Sequence, residues 1–113
     1  MLGEFEYLIV TAASGLGDQA YGAAIRDAIE TTAGRKCSLG ALYTTLDRLE
    51  STGLLKPGMG GATQQRGGRA KRMVRVTGEG ARAAKDFYDA VTRISRGAAW
   101  AENPTPDETG GAA

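Results

Sequence analysis

Hydrophobic residues in the first half of the chain recur at three- and four-residue steps, the spacing that places side chains on one face of an α-helix. Two such stripes occupy residues 2–14 and 21–32, and each is followed by glycine. A third stripe occupies residues 39–52, where the Ser38 hydroxyl is placed to cap the first turn and Gly53 to end the helix. The pattern therefore predicts three short amphipathic helices.

The spacing of the apolar residues changes after the third helix. Residues 54–59 and 72–76 are short apolar segments, and the second is rich in β-branched side chains. The residues 60–68 between them include four glycines and no apolar side chain larger than alanine. This arrangement predicts a β-hairpin with a long loop.

A longer helix is predicted after the hairpin. Thr77 is placed to cap it, and Glu79 lies in the first turn, where the helix dipole favours an anion. Its apolar residues follow steps of three and four and form a narrow seam: Ala84, Phe87, Val91 and Ile94. Such a seam is typical of a helix that pairs with another helix.

The element order predicts a mainly α fold with a small β-hairpin, namely a winged helix-turn-helix followed by a long C-terminal helix. We assign residues 1–76 to the winged helix-turn-helix and residues 77–100 to the C-terminal helix. The remaining residues, 101–113, are rich in Ala, Gly, Pro, Thr and acids, which predicts a disordered acidic tail.

Charge is distributed unevenly along the chain. The 113 residues carry 14 bases and 13 acids, and a net charge of +1 argues against a nucleic-acid partner. However, residues 35–75 contain nine bases and two acids, a local charge of +7, whereas residues 1–34 sum to −4. A basic segment that spans the third helix and the hairpin is typical of a phosphate-backbone binder. Charge alone also fits an ordinary solvated surface, and both interpretations stay open.

Several kinds of chemistry are excluded by composition. The chain contains no His, which excludes Ser–His–Asp and Cys–His catalysis and imidazole zinc sites. The single cysteine, Cys37, excludes an internal disulfide and a thiolate metal cage. We expect no enzyme activity, no metal and no cofactor. Without an export signal or an apolar run of transmembrane length, we expect a cytoplasmic protein with no membrane partner.

The loop of the hairpin is the first candidate DNA-binding element. Glycines alternate with bases there, so the backbone can approach a groove while the cationic side chains reach phosphates. The candidate residues are Arg66, Gly68, Arg69, Lys71 and Arg72.

The third helix is the second candidate DNA-binding element. Projected at 100° per residue, its outward face is small and polar, as a helix that enters the major groove requires. The candidates are Ser38, Gly40, Tyr43, Thr44 and Arg48. Two of them have structural alternatives that stay open: Tyr43 could instead pack half-buried against the hairpin, and Arg48 could pair with Asp47 or Glu50.

Ordered motifs in the chain resemble those of the PadR family of bacterial transcription regulators. The matching segments are YG at 21–22, GALYTTL at 40–46, RLE at 48–50, GLL at 53–55, RGGRAKR at 66–72 and the start of the last helix at 77–80. The resemblance implies a winged-helix protein that binds operator DNA as a dimer, and most members of the family repress transcription in this way. It implies that Tyr43 and Thr44 meet the major groove and that the wing meets the minor groove or phosphates.

The length resembles that of the shorter subfamily, which has a single C-terminal dimerisation helix, and this resemblance implies a dimer in which the last helix pairs with the first helix of the partner subunit. The candidate interface residues are Phe5, Ile9, Ala84, Phe87, Tyr88, Val91 and Ile94. Some family members bind a small-molecule effector between subunits through a Trp in the last helix. The corresponding position here is Val91, and Trp100 lies further along the chain.

The leading hypothesis is a homodimeric repressor that binds a pseudo-palindromic double-stranded DNA operator, with a small-molecule effector between subunits as an added hypothesis. The alternative is a protein-interaction module that keeps the winged-helix fold and presents its basic wing to an acidic protein.

Overall fold

The computed structural model describes residues 1–58 and 72–102, the last of these by its backbone only. Five α-helices, one 3₁₀ turn and two strands are present in these residues. In chain order they are α1 (Glu4–Leu16), the 3₁₀ turn (Gly17–Gln19), α2 (Gly22–Thr32), α3 (Leu39–Ser51), β1 (Leu55–Pro57), β2 (Val74–Val76), α4 (Gly78–Ser95) and α5 (Ala99–Glu102). The predicted mainly α fold with a small hairpin is confirmed.

The first helix begins two residues later than predicted. The Glu6 carboxylate accepts a hydrogen bond from the Gly3 backbone N–H at 2.9 Å, so it satisfies an amide just before the first turn. The helix ends at Leu16 and is followed by the capping residue Gly17, whose φ of 57° is in the left-handed region. Its inner face supplies Ile9, Val10 and Ala13 to the core.

The second and third helices form the helix-turn-helix. Ser38 caps α3 as predicted, since its Oγ accepts a hydrogen bond from the Ala41 N–H at 3.0 Å. The predicted inner stripe of α3 is fully buried: Leu42, Leu46 and Leu49. Thr45 is buried as well, and its hydroxyl donates to the Ala41 carbonyl at 3.0 Å, which satisfies its polar atom inside the core.

The hairpin is shorter than the sequence pattern predicts. Its strands have three residues each, and Leu55 pairs with Val76 while Pro57 pairs with Val74. β2 is also attached to the segment before α2, because the Val74 N–H donates to the Ala20 carbonyl at 3.0 Å. The strands β1 and β2 form the base of the wing, and this base is thereby joined to the helix-turn-helix by backbone hydrogen bonding.

The fourth helix is capped as predicted, with the Thr77 Oγ1 accepting from the Gly80 N–H at 2.9 Å. Gly80 lies directly against the Leu54 carbonyl, where a Cβ has no room. The first half of α4 packs on α1 and β2, and the Phe87 ring stacks on Tyr7 with centroids 4.6 Å apart. Among the described helices, none is both long enough and apolar enough to cross a membrane.

The end of the described chain is helical. Ala101, assigned to the tail by the sequence pattern, belongs to α5 together with the backbone of residue 102. Residues 103–113 lie outside the described residues, so the disordered acidic tail stays a prediction.

Candidate nucleic-acid interface

The outward face of α3 is exposed and carries small or polar side chains. Its exposed residues include Gly40, Ala41, Thr44, Asp47 and Ser51. Ser38, at the start of the helix, is exposed as well. This is the face that the helical projection predicts, and its small side chains suit a major groove about 12 Å wide.

Tyr43 is half-buried between two helices. A Cβ on Gly22 of α2 would lie 2.5 Å from the Tyr43 hydroxyl oxygen, so a side chain at this position would displace the ring. Tyr43 is half-buried, as its structural alternative predicts, with Gly22 on one side and the Arg72 guanidinium at the base of the hairpin 6.0 Å from the ring centroid. A direct contact between Tyr43 and DNA stays a prediction.

Arg72 is held by two acids of α3. Its Nη1 lies 2.8 Å from Asp47 Oδ1, and its Nη2 lies 3.0 Å from Glu50 Oε1. Its guanidinium carbon also lies 6.0 Å from the centroid of the Tyr43 ring. The sequence pattern assigns Arg72 to phosphate contacts, whereas in the structure its guanidinium forms ion pairs with Asp47 and Glu50 of the same chain.

Two further bases are paired with the start of α1. Arg48 Nη1 lies 3.2 Å from Glu6 Oε2, so Arg48 is indeed paired, but with neither of the two acids considered from the sequence. The pKa of Glu6 is lowered by the Gly3 N–H hydrogen bond, with a further contribution from Arg48 that partial burial opposes. Arg35 lies 3.0 Å from Glu4 and stacks 4.8 Å above the Phe5 ring.

Two lysines carry the unpaired positive charge in the described part of the basic segment. The arginines there, Arg35, Arg48, Arg72 and Arg75, each lie within 4.0 Å of an acid. Lys36, just before α3, and Lys56, in β1, are exposed and form no ion pair with another described residue. Neither lysine was singled out from the sequence, because no sequence motif distinguishes a basic residue that forms an ion pair from one that does not.

The predicted loop contacts cannot be placed on this surface. Arg66, Gly68, Arg69 and Lys71 lie outside the described residues, and their role in DNA binding stays a prediction.

A side chain that sequence analysis missed fixes the turn before α3. The Arg26 Nε of α2 donates to the Cys37 carbonyl at 2.8 Å, immediately before the capping residue Ser38. Arg26 also lies 3.4 Å from Glu30 on its own helix. It thereby positions the start of the helix whose outward face is the candidate interface.

The predicted dimer residues divide into buried and exposed groups. Ile9 is 0 % exposed in the core of this single chain and is unavailable to a partner subunit, because α1 turns it inward. Three residues pack partly against the same core: Phe5, Ala84 and Phe87. The exposed apolar side chains at the end of the described chain are Tyr88 at 55 %, Val91 at 45 %, Ile94 at 80 % and Trp100 at 76 %.

A groove of about 480 Å³ lies between α1 and α4, beside this exposed apolar surface. Tyr7 and Thr11 line it from α1, and Lys85 and Tyr88 line it from α4. Within the described residues, no group of His, Cys, Asp and Glu side chains is arranged to hold a metal ion.

Comparison with known proteins identifies the family. The Transcriptional regulator PadR-like family matches residues 14–86, which span α2, α3, the hairpin and the first half of α4. The chain belongs to the PadR-like family. Its members are transcriptional regulators, so the prediction that the protein is not an enzyme is confirmed. A search of curated proteins finds no significant match.

Solved structures of transcription regulators, two of them PadR family members by title, share the fold. A PadR family transcription regulator from hypervirulent Clostridium difficile R20291 is 26 % identical, with a TM-score of 0.62 over 83 % of this chain and 96 % of that one. A PadR family transcriptional regulator from Eggerthella lenta DSM 2243 is 24 % identical, with a TM-score of 0.64 over 90 % of this chain and 88 % of that one. A transcriptional regulator from Clostridium thermocellum matches with 19 % identity and a TM-score of 0.59, over 88 % of this chain and 99 % of that one.

Proposed function

We propose that this PadR-like protein is a sequence-specific DNA-binding repressor that acts as a homodimer on a pseudo-palindromic operator. The observation that carries the proposal is the exposed, small and polar outward face of α3 in a winged helix-turn-helix. This face has the size and polarity of a helix that reads base edges in the major groove.

Contacts with DNA divide between bases and phosphates. The residues near the start of α3, Ser38, Gly40 and Thr44, would lie closest to the base edges. Lys36 precedes α3 in the chain and Lys56 follows it in β1, and both are exposed and positively charged, which supports a role on the phosphate backbone. The wing residues Arg66, Gly68, Arg69 and Lys71 would add contacts to the adjacent minor groove or phosphates.

The exposed apolar surface of α4 and α5 supports a dimer. Tyr88, Val91 and Ile94 are exposed apolar side chains at three-residue steps along α4, and a second copy of the chain would cover them. Twofold symmetry would then present two α3 helices to half-sites about 34–36 Å apart, which is one turn of the double helix.

A small-molecule effector is a further part of the proposal. The groove between α1 and α4 borders the same exposed apolar surface, so a second subunit would close it further. We place the protein in the cytoplasm, where its DNA target lies.

Selection of bound duplexes from random DNA tests the proposal directly. We expect an enriched sequence with two inverted half-sites one helical turn apart. Binding of that duplex should weaken linearly in log Kd against log salt, with a slope of about 0.9 per neutralised phosphate. A promoter that contains the duplex should be transcribed less in vitro when the protein is added. No enrichment, or a flat salt dependence, would contradict the proposal.

The double variant Arg69→Glu/Lys71→Glu separates DNA binding from the protein-partner alternative. We expect it to lose retention of the selected duplex while its dimerisation, measured by light scattering, stays unchanged. Full retention of DNA by this variant would contradict a role for the wing on DNA.

A further inference from the structure

One stripe of α3 faces the base of the wing. Tyr43, Asp47 and Glu50 are separated by four and three residues and therefore lie one above another on the helix surface. Arg72, two residues before β2, reaches all three. Its two terminal nitrogens lie 2.8 Å and 3.0 Å from the two carboxylates, and its guanidinium lies 6.0 Å from the Tyr43 ring.

The contact between Arg72 and Glu50 is partly buried. The side chain of Arg72 is 31 % exposed and that of Glu50 is 23 % exposed, whereas Asp47 is 71 % exposed. A planar guanidinium can bridge two carboxylates and stack on an aromatic ring together, which the compact ammonium of lysine cannot do. The geometry therefore specifies arginine at this position.

We propose that Arg72 is a positioning residue that joins the base of the wing to α3 and neutralises the two carboxylates beside the DNA-facing surface. This inference rests on the proposed function. Arg72 does not contact a phosphate. Arg72 stabilises the contact between the base of the wing and α3, and its effect on DNA binding is to remove the repulsion that Asp47 and Glu50 exert on the DNA backbone.

The direct alternative is that Arg72 leaves α3 and binds a phosphate. That movement would leave Asp47 and Glu50 unpaired next to the polyanion, since no other described base lies within 4.0 Å of either carboxylate. Repulsion between like charges would offset the new phosphate contact. The observed arrangement therefore favours the positioning role.

A double-mutant cycle on the free protein tests the contact itself. We would measure urea unfolding of wild type, Arg72→Gln, Glu50→Gln and the double variant. The expected coupling between the two sites is at least about threefold in the unfolding equilibrium constant. Additive effects, with no coupling, would overturn the proposed contact.

Binding to the selected duplex tests the role of Arg72 on DNA. Arg72→Gln should weaken binding about tenfold, because both carboxylates lose their partner. The triple variant Arg72→Gln/Asp47→Asn/Glu50→Gln should recover to within about twofold of wild type and keep the wild-type salt slope. Arg82→Gln, which removes one exposed base from α4, is the control for total charge and should bind as wild type does.

The direct phosphate contact predicts a different result. The triple variant would then bind as weakly as Arg72→Gln, and its salt slope would fall by about 0.9. That outcome would overturn the positioning role while leaving DNA binding intact. Failure of the proposed function has a separate signature, since wild type itself would then bind no duplex.

Discussion

Gly22 of α2 lies directly against the Tyr43 ring of α3. The distances from a Cβ on Gly22 to the Tyr43 ring atoms would be 2.7–2.8 Å, and the hydroxyl oxygen would lie at 2.5 Å. Both helices also contribute large buried side chains to the core, including Ile25 and Leu46. A methyl added at Gly22 would therefore require the Tyr43 ring to move at a junction between two helices that share this core.

Gly22→Ala should destabilise the protein by about 1–3 kcal/mol, because the added methyl overpacks this contact. Urea unfolding measures the effect. Gly15→Ala is the matched control: Gly15 lies in α1, where an added methyl would meet no neighbouring atom within 4 Å, and the change should stabilise by up to about 1 kcal/mol. In a Tyr43→Ala background the cost of Gly22→Ala should shrink. An equal cost in both backgrounds would contradict the role of Tyr43.

Residue roles were predictable where they depend on neighbours along the helix. The Ser38 cap and the buried leucines of α3 follow from local spacing. The partners of the bases do not, because Arg48 pairs with an acid 42 residues away and Arg72 with one 22 residues away. A helical projection shows which way a base points, but not which acid another element brings to it.

The start of α3 is fixed by two independent hydrogen bonds. Ser38 Oγ accepts from the Ala41 N–H, and Arg26 donates to the Cys37 carbonyl one residue earlier. These contacts set the direction in which α3 leaves the turn. Since the proposed base contacts cluster at this end of the helix, its order matters for stability and for binding.

Ser38→Ala should cost about 1 kcal/mol of stability through loss of the cap. Ser51→Ala is the control on the same helix, since its exposed hydroxyl donates to the Arg48 carbonyl and caps no free amide, and we expect a change within about 0.5 kcal/mol. Urea unfolding compares the two variants. Equal midpoints would show that the hydroxyl of Ser38 contributes nothing to α3.

Helices were easier to predict than the wing. The stripes of α2 and α3 define their elements to within one residue at each end, because burial of one face follows the helical period. The strands are shorter than their apolar segments. The ends of the strands depend on pairing with distant residues, such as the hydrogen bond from the Val74 N–H to the Ala20 carbonyl. No local spacing of residues predicts that hydrogen bond.

The apolar stripe of α4 continues beyond the core of the molecule. In the middle of the helix, Ala84 and Phe87 pack against the core cluster, and Phe87 stacks on Tyr7 of α1. Further along the same stripe, Val91 and Ile94 are exposed, and Trp100 of α5 is exposed beyond them. The described part of the chain leaves this apolar face of α4 uncovered. A second subunit packed against the face would explain why its residues are apolar.

Ile94→Glu should therefore weaken dimerisation by at least about 100-fold, because it places a charge in the centre of the proposed interface. Analytical ultracentrifugation across a concentration series measures the dissociation constant. Thermal unfolding of the monomer should change little, since Ile94 is 80 % exposed in the single chain. Binding to the two-half-site duplex should fall while binding to a single half-site persists, because only the second contact depends on the dimer.

Arg82→Glu adds a glutamate to a different face of α4 and serves as the control. Arg82 is exposed and lies about 120° around the helix from Ile94 at 100° per residue, so its replacement should leave the dimer intact. If both variants remain dimeric, subunits do not associate through this stripe. If both variants become monomeric, the added negative charge on α4 disrupts the dimer, and the result does not depend on the apolar surface that Ile94 shares with Val91.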